Sequence, residues 1–180
     1  MAINISQGLF TVLDSASSAI RDNYTGVRST INTEVSNYTL PAIQTSGANV
    51  YIGDGRIPPQ AASWWQISAT LGDESLALNA GVSTAEVPLS IRCGVRRTEF
   101  GEAVSGDVAP TVEDAGWRVA ALMAAAAKHL ILKHVIDTAG VYNVLYQTTS
   151  ARPFEAGKPS SFEYDVTFTC YVRMRHSFDE

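Results

Sequence analysis

Between Phe162 and Arg175 the chain alternates apolar and polar side chains through fourteen positions without a break. Phe162, Tyr164, Val166, Phe168, Cys170, Val172 and Met174 fall on one side; Glu163, Asp165, Thr167, Thr169, Tyr171, Arg173 and Arg175 fall on the other. Side chains of a strand alternate faces with period two, so one face of this strand belongs to a core and the other is solvated. At about 3.3 Å per residue the strand spans roughly 45 Å, against a usual strand of about five or six residues. Such length predicts a strand that reaches out of its own small domain toward a neighbouring subunit. The polar face is also divided by sign, acidic at its start and basic at its end. Both features point to an assembly component more than to an active site.

The rest of the chain supplies one core around that strand. Apolar residues from Leu9 through Leu13, Ala16, Ile20, Tyr24, Val27, Ile31 and Val35 to Tyr38 step by three or four, which is one face of a helix. Ser6 is placed to cap it, Gly26 interrupts it as either a kink or a break between two consecutive helices, and Pro41 ends the region. A short strand at Asn49–Ile52 runs into the turn Gly53-Asp54-Gly55-Arg56, after which Pro58-Pro59 forbids ladder bonding. Alternation around Trp64–Leu71 and Val87–Arg96 predicts two further strands, with Pro88 near the start of the second. Thr111 opens the longest helix, with Asp114 three residues on, and the helix runs to about Thr138 before Gly140. From Trp117 to Leu132 that helix is apolar nearly all round, so it needs cover on more than one side and leaves a second apolar face for something else. A strand follows at Val141–Thr149, and the stretches 72–86, 98–110 and 150–161 read as long loops available to partners. The prediction is a single α+β domain over residues 1–180, in the order α-β-β-β-α-β-β. A helical arm occupies 1–40, and a mixed or antiparallel sheet packed by the long helix occupies 49–175.

Composition narrows the function. A formal charge of −5 and a pI near 5.2 argue against a dedicated nucleic-acid binder. No uncharged apolar run reaches the eighteen or so residues of a membrane span; the alanine-rich stretch at 119–127 is followed by Lys128 and Lys133. The start, Met1-Ala2-Ile3-Asn4-Ile5, lacks the basic region of a signal peptide. Cys93 and Cys170 each lie on the apolar side of a strand, where they could be neighbours; they read as reduced core residues of a protein made in a cytoplasm.

Chemistry is sparse. His129 and His134 are five apart on a helix, about 140° around it, and cannot share a metal; His176 lies in the C-terminal tail. Gly53-Asp54-Gly55 lacks the lysine and following helix of a phosphate loop, and no serine sits in a Gly-x-Ser-x-Gly elbow. Glu113 and Asp114 fit the first turn of a helix, where they favour its dipole. No catalytic, cofactor or metal residue emerges, and an enzyme is not expected. Arg92 and Arg96 share the polar face of their strand, and Arg173 and Arg175 end the last one. They could meet phosphate, pair with Glu163 and Asp165 on a solvated face, or form salt bridges across subunits of a ring. Trp64, on the polar side of its strand, is either an interface anchor or lies under the N-terminal arm.

This order of elements resembles a family. An N-terminal helix, a short strand ending in Asp54-Gly55-Arg56-Ile57-Pro58, two alternating strands, a long helix and two final strands resemble the tail terminator proteins of long-tailed bacteriophages. The basic, alternating end Thr169-Cys170-Tyr171-Val172-Arg173-Met174-Arg175 is similar to theirs as well. The long region up to Tyr38 and the long loops depart from the family, which leaves another neck, head–tail connector or tail-completion protein open. The resemblance implies a hexameric ring in the virion neck, made in the host cytoplasm, that caps the tail tube protein and ends polymerisation. It implies a head–tail connector as the other neighbour, genomic DNA passing through the lumen without specific binding, no membrane and no cofactor. Arg92, Arg96, Glu163, Asp165, Arg173, Arg175 and Trp64 are the candidate subunit-interface residues. The alternative class is a non-viral protein-binding module with the loops as its surface.

Overall fold

The structure, a computed structural model, describes residues 5–35, 38–44, 47–70, 72, 74–77, 82–100, 112–135, 140–153 and 160–175. Helix α1 (Ile5–Glu34) runs unbroken through Gly26, and Ser6, expected as its cap, lies one residue inside it. Its buried face carries Val12, Leu13, Ala16, Ala19, Ile20 and Tyr24. After Glu34 the chain turns back because two α1 side chains hold it: Arg28 Nε donates to Leu40 O at 2.7 Å, and Leu40 N donates to Asn32 Oδ1 at 2.8 Å. These bonds end the helix four residues before the expected Tyr38.

The strands are β1 (Val50–Ile52), β2 (Ser63–Ala69), β3 (Glu74–Ala77), β4 (Val82–Arg96), β5 (Val141–Ala151) and β6 (Ser161–Arg175), with α2 (Val112–His134) between β4 and β5. Five of them form one sheet in the order β1-β2-β4-β6-β5, and β3 pairs with β4 beyond the end of β2. Only β1–β2 is parallel. The fold is α+β in a mixed sheet, as the patterning predicts, with the order α-β-β-β-β-α-β-β. The extra strand corrects the expected loop at 72–86, which holds β3 and the first third of β4.

The same correction accounts for the length of β6. All fifteen of its residues pair with β4, from Arg96↔Ser161 to Val82↔Arg175. The partner expected from a neighbouring subunit is therefore supplied within the chain. Pro88 consequently lies mid-strand and still breaks no rung to β6. Its carbonyl accepts from Thr70 N at 3.1 Å, so its missing donor points the same way, into the gap after β2 ends and before β3 begins.

Both helices cover one face of the sheet. Trp65 and Ile67 of β2, alternate residues of β4 from Ala85 to Val95, and Phe162, Val166, Phe168, Cys170 and Val172 of β6 are buried beneath them. The second apolar side of α2, expected to await another partner, packs on α1. By length and composition Asp114–His134 would qualify as a membrane-crossing helix, but half of it is buried inside this fold, as in a core helix. Gly116 lets α2 settle on β6, since a Cβ there would collide with the Phe162 ring. Trp117 then meets Phe162 and Tyr164 edge-on, with centroids 5.3 and 5.9 Å apart. Thr111 and residues 136–139 lie outside the described residues. Gly140 does adopt a positive φ of 96°, at the entry to β5, where its carbonyl accepts from Arg173 N at 2.7 Å.

Cys93 and Cys170 are buried and free, but they are not neighbours: Cys93 faces Tyr164 and Cys170 faces Val87, six rungs and roughly 20 Å apart. Burial raises both thiols, Cys170 to about 12.

Gly116→Ala is expected to lower stability by about 1–3 kcal/mol in urea titrations through overpacking. Gly26→Ala, mid-helix with open space around its Cβ position, is expected to raise it by about 0.5–1 kcal/mol. Neither cysteine should react with a thiol reagent at pH 8 until the chain is unfolded. Because the folded pKa values lie above the ordinary 9.0, stability should fall once pH rises past that value and the unfolded chain loses thiol protons. Rapid native-state labelling would contradict the packing.

Candidate functional site

The face of the sheet away from the helices carries the other half of the alternation. Strand register sets it out in rows: Trp64, Gly94 and Glu163; Gln66, Arg92, Asp165 and Ser150; Ser68, Ser90, Thr167 and Thr148. Six of the seven candidate interface residues have described side chains. Five of those six lie together at the β1 end of the long β4–β6 ladder.

The second row is a connected polar ladder. Arg92 Nη1 donates to Gln66 Oε1 at 3.0 Å, and Arg92 Nε lies 3.4 Å from Asp165 Oδ1 and 3.9 Å from Glu163 Oε2. Arg152 Nη1 reaches Asp165 Oδ2 at 4.0 Å, and Ser161 Oγ donates to Glu163 Oε1 at 2.7 Å. On the far side Gln66 Nε2 donates to the carbonyls of Gly53 and Gly55 at 2.8 and 2.7 Å. The side chains of Arg92, Glu163 and Asp165 are a quarter to a third exposed, so each ion pair contributes at most about 1 kcal/mol. Gln66 is only 3% exposed, and losing its bonds costs more.

The first row holds the turn from the other end. Trp64 is 2% exposed, and its indole lies flat across Gly94, where any Cβ would collide with it. The Arg96 guanidinium stacks over that ring at 5.1 Å and donates to Ala61 O and Pro58 O at 3.2 and 3.3 Å. The segment after β1 thus folds onto the outer face and covers Trp64. This corrects two expectations: Trp64 is not an exposed anchor, and what covers it is the 53–61 turn, not the N-terminal arm. Arg92, Glu163 and Asp165, offered for bridges between subunits, find one another inside the subunit because β4 and β6 place them on adjacent rungs. Arg173 is separate. It is exposed at the other end of β6 and stacks over Tyr142 at 5.1 Å. Arg175 pairs through its backbone with Val82.

Patterning overlooked three things. Gln66 reads as an ordinary outward residue, and only the fold of the 53–61 turn gives it buried partners. Arg152 gains significance from β5 lying beside β6. The third is β5 itself, with Tyr142, Leu145 and Tyr146 exposed by 45, 43 and 36%. Register shifts at Val141/Asn143 and Tyr146/Thr148 break its period of two, which hid its faces.

A groove of about 240 Å³ lies on the outer face, lined by Ser68, Thr70, Pro88, Ser90, Thr167 and Thr169 among others, with no charged group. It is smaller than the roughly 300–1,000 Å³ of ordinary ligand pockets. Among the described residues no three of His, Cys, Asp and Glu cluster as metal ligands. His129 is exposed and His134 half-buried on α2; His176 lies outside the described residues. In comparisons with known proteins, the chain matches no family model and no curated protein.

Gln66→Ala is expected to lose about 1–3 kcal/mol and release the turn, seen as faster amide exchange at Gly53–Gly55. A double-mutant cycle between Arg92→Ala and Asp165→Asn should return no more than about 1 kcal/mol. A coupling several times larger would mean that the ladder is far better shielded than its exposure indicates.

Proposed function

We propose that this chain is a structural protein of a bacteriophage neck, a tail terminator whose ring caps the tail tube, ends its polymerisation and joins the tail to the head connector. The observation that carries this reading is the β4–β6 ladder. Fifteen paired residues make a stiff plate with helices on one face, a tied polar face on the other, and two unlike edges. A subunit that closes a ring by head-to-tail contacts needs two different patches on opposite sides, and a plate with a three-residue edge strand and an eleven-residue edge strand supplies them.

Charge is compatible with a channel for DNA. A formal charge of −5, with Arg92 and Arg96 tied to partners within the subunit, disfavours holding a phosphate backbone. In this reading the tail tube protein and the head connector are the two axial partners, six copies complete the ring, and the virion is where it resides.

Negative-stain imaging of the purified chain, alone and added to polymerising tube protein, tests this. Uniform rings with a central hole, or tubes whose growth stops at a capped end, are the expected result. Small particles at every concentration, together with unaltered tube growth, would overturn it.

A further inference from the structure

We propose that the free edge of β5, with the cations beside it, binds an extended acidic segment of another protein, which adds to the sheet as a further strand. This goes beyond the neck-ring reading: a neck subunit that holds an axial neighbour and a solitary binding domain could both use such a contact.

The two edges of the sheet are not alike. The β1 edge is three residues long, and its Val50 carbonyl accepts from Arg21 Nη2 at 3.3 Å. The β5 edge is eleven residues long, pairs only with β6 among the described residues, and contains no Asp, Glu, Lys, Arg or Pro. Short length, charge and proline are the usual safeguards against strand addition, and β5 lacks all three. Two hydrogen bonds fix which way its backbone points: Arg173 N donates to Gly140 O at 2.7 Å, and Arg152 N to Glu163 O at 2.9 Å. Every second residue of β6 from Glu163 to Arg173 therefore turns its backbone groups toward β5, where Asn143, Leu145, Thr148 and Ser150 face them. Val144, Tyr146, Thr149 and Ala151 lie in the opposite phase, with N–H and C=O groups pointing to the open side. Such a row is a template for a further strand. Tyr142, Leu145 and Tyr146 stand beside it and are three of the five exposed large hydrophobics among the described residues. Apolar side chains on an added strand would meet them as cross-strand neighbours.

Charge selects the occupant. Lys128 Nζ sits 3.6 Å above the Tyr146 ring, and Arg173 stacks on Tyr142 at 5.1 Å. Among the described residues neither cation pairs with a carboxylate. No Asp or Glu occurs in the sequence from Ala115 to Val135 or from Val141 to Pro153. On β6, Glu163 and Asp165 are engaged by Arg92, and Asp165 also by Arg152. The edge is thus a locally positive surface in a chain of formal charge −5, and carboxylates on an incoming strand complement it. A second copy is a poor occupant. Its β5 would bring the same cations, and its β1 offers three residues with one carbonyl already taken. The segment therefore belongs to a different protein, with apolar residues alternating along it and acidic residues among them. Backbone pairing would supply its affinity, and the cations its selectivity.

The test is fluorescence anisotropy of a fluorescein-labelled peptide, Glu-Val-Thr-Val-Glu-Val-Thr-Val-Glu, titrated with the full-length protein at low salt. A counterpart with lysine at each glutamate is the control. The acidic peptide should bind about tenfold more tightly or better, and added salt should weaken it. On binding, the outward amides of Val144, Tyr146, Thr149 and Ala151 should gain exchange protection. Two variants, each checked for folding by near-ultraviolet circular dichroism, separate the causes. Thr149→Pro with Ala151→Pro removes two outward N–H groups and no bond to β6, and should weaken binding about tenfold or more. Lys128→Glu with Arg173→Glu should abolish the preference for the acidic peptide. No binding of the acidic peptide, equal binding of the two peptides, or full binding by the folded proline variant would overturn the proposal. Rings that form and leave the peptide unbound, because a neighbouring copy fills the edge, would overturn it and spare the neck-ring reading. Peptide binding by a protein that never closes rings or caps tubes would uphold the contact and remove that reading.

Discussion

Everything in this molecule depends on the antiparallel pairing of β4 with β6. Fifteen consecutive rungs hold the two longest strands in one register, and every other element is placed relative to them. β2 and β3 share the outer side of β4, β5 lies on β6, and both helices cross the apolar face that the pair creates. A one-residue slip would turn Phe162, Val166, Phe168, Cys170 and Val172 to solvent and bring Glu163 and Asp165 into the core. The register is therefore set by burial, which is non-directional but large when summed over so many alternating side chains.

The two faces of the ladder do different work. The inner face is closed by small residues that allow close approach: alanines along α2, and Gly116 against Phe162. The outer face has no such cover, and polar side chains tie it together row by row. Trp64 over Gly94 under Arg96, and Gln66 bonded to two glycine carbonyls, fasten the turn after β1 to the sheet. These contacts stiffen the outer face, and with the Arg92–Asp165 pair they engage Arg92 and Arg96 within the subunit. At the rim, Arg173 stacks on Tyr142, Arg152 reaches Asp165 only at 4.0 Å, and the uncharged β5 strand pairs on one side alone. A ring subunit in a phage neck would make use of such a rim, with contact surfaces at its sides and a stiff body between them.

Much of this was legible from the residues. The alternation in β6, β4 and β2 reports its faces directly, because each is a half-buried strand of period two. The three- and four-residue spacing from Leu9 to Ile31 likewise reports α1. β3 and the start of β4 were hidden: four residues beside a glycine look like loop until a distant strand offers them hydrogen bonds. β5 was found as a strand, but its faces were not, since two bulges shift its phase. Of the candidate residues, Arg92, Glu163 and Asp165 were correctly placed on one face, but their being one another's partners depends on a register between strands some seventy residues apart. Trp64 was misjudged because nothing near it in the chain announces that the 53–61 turn will fold over it.

The sequence by itself determined which side chains could be buried, since alternation and helical spacing are properties of neighbouring residues. From these follow the α+β class, the order of nearly all the elements, and the polar outer face. Tertiary structure alone decided who pairs with whom. It made β6 a strand completed within its own chain, gave α2's second side to α1, turned exposed arginines into internal ties, and left β5 as the open edge. The physical reason is that burial depends on hydrophobic pattern, which is local. Pairing depends on which distant backbone groups the packed core brings to matching distance and direction, and no local pattern encodes that.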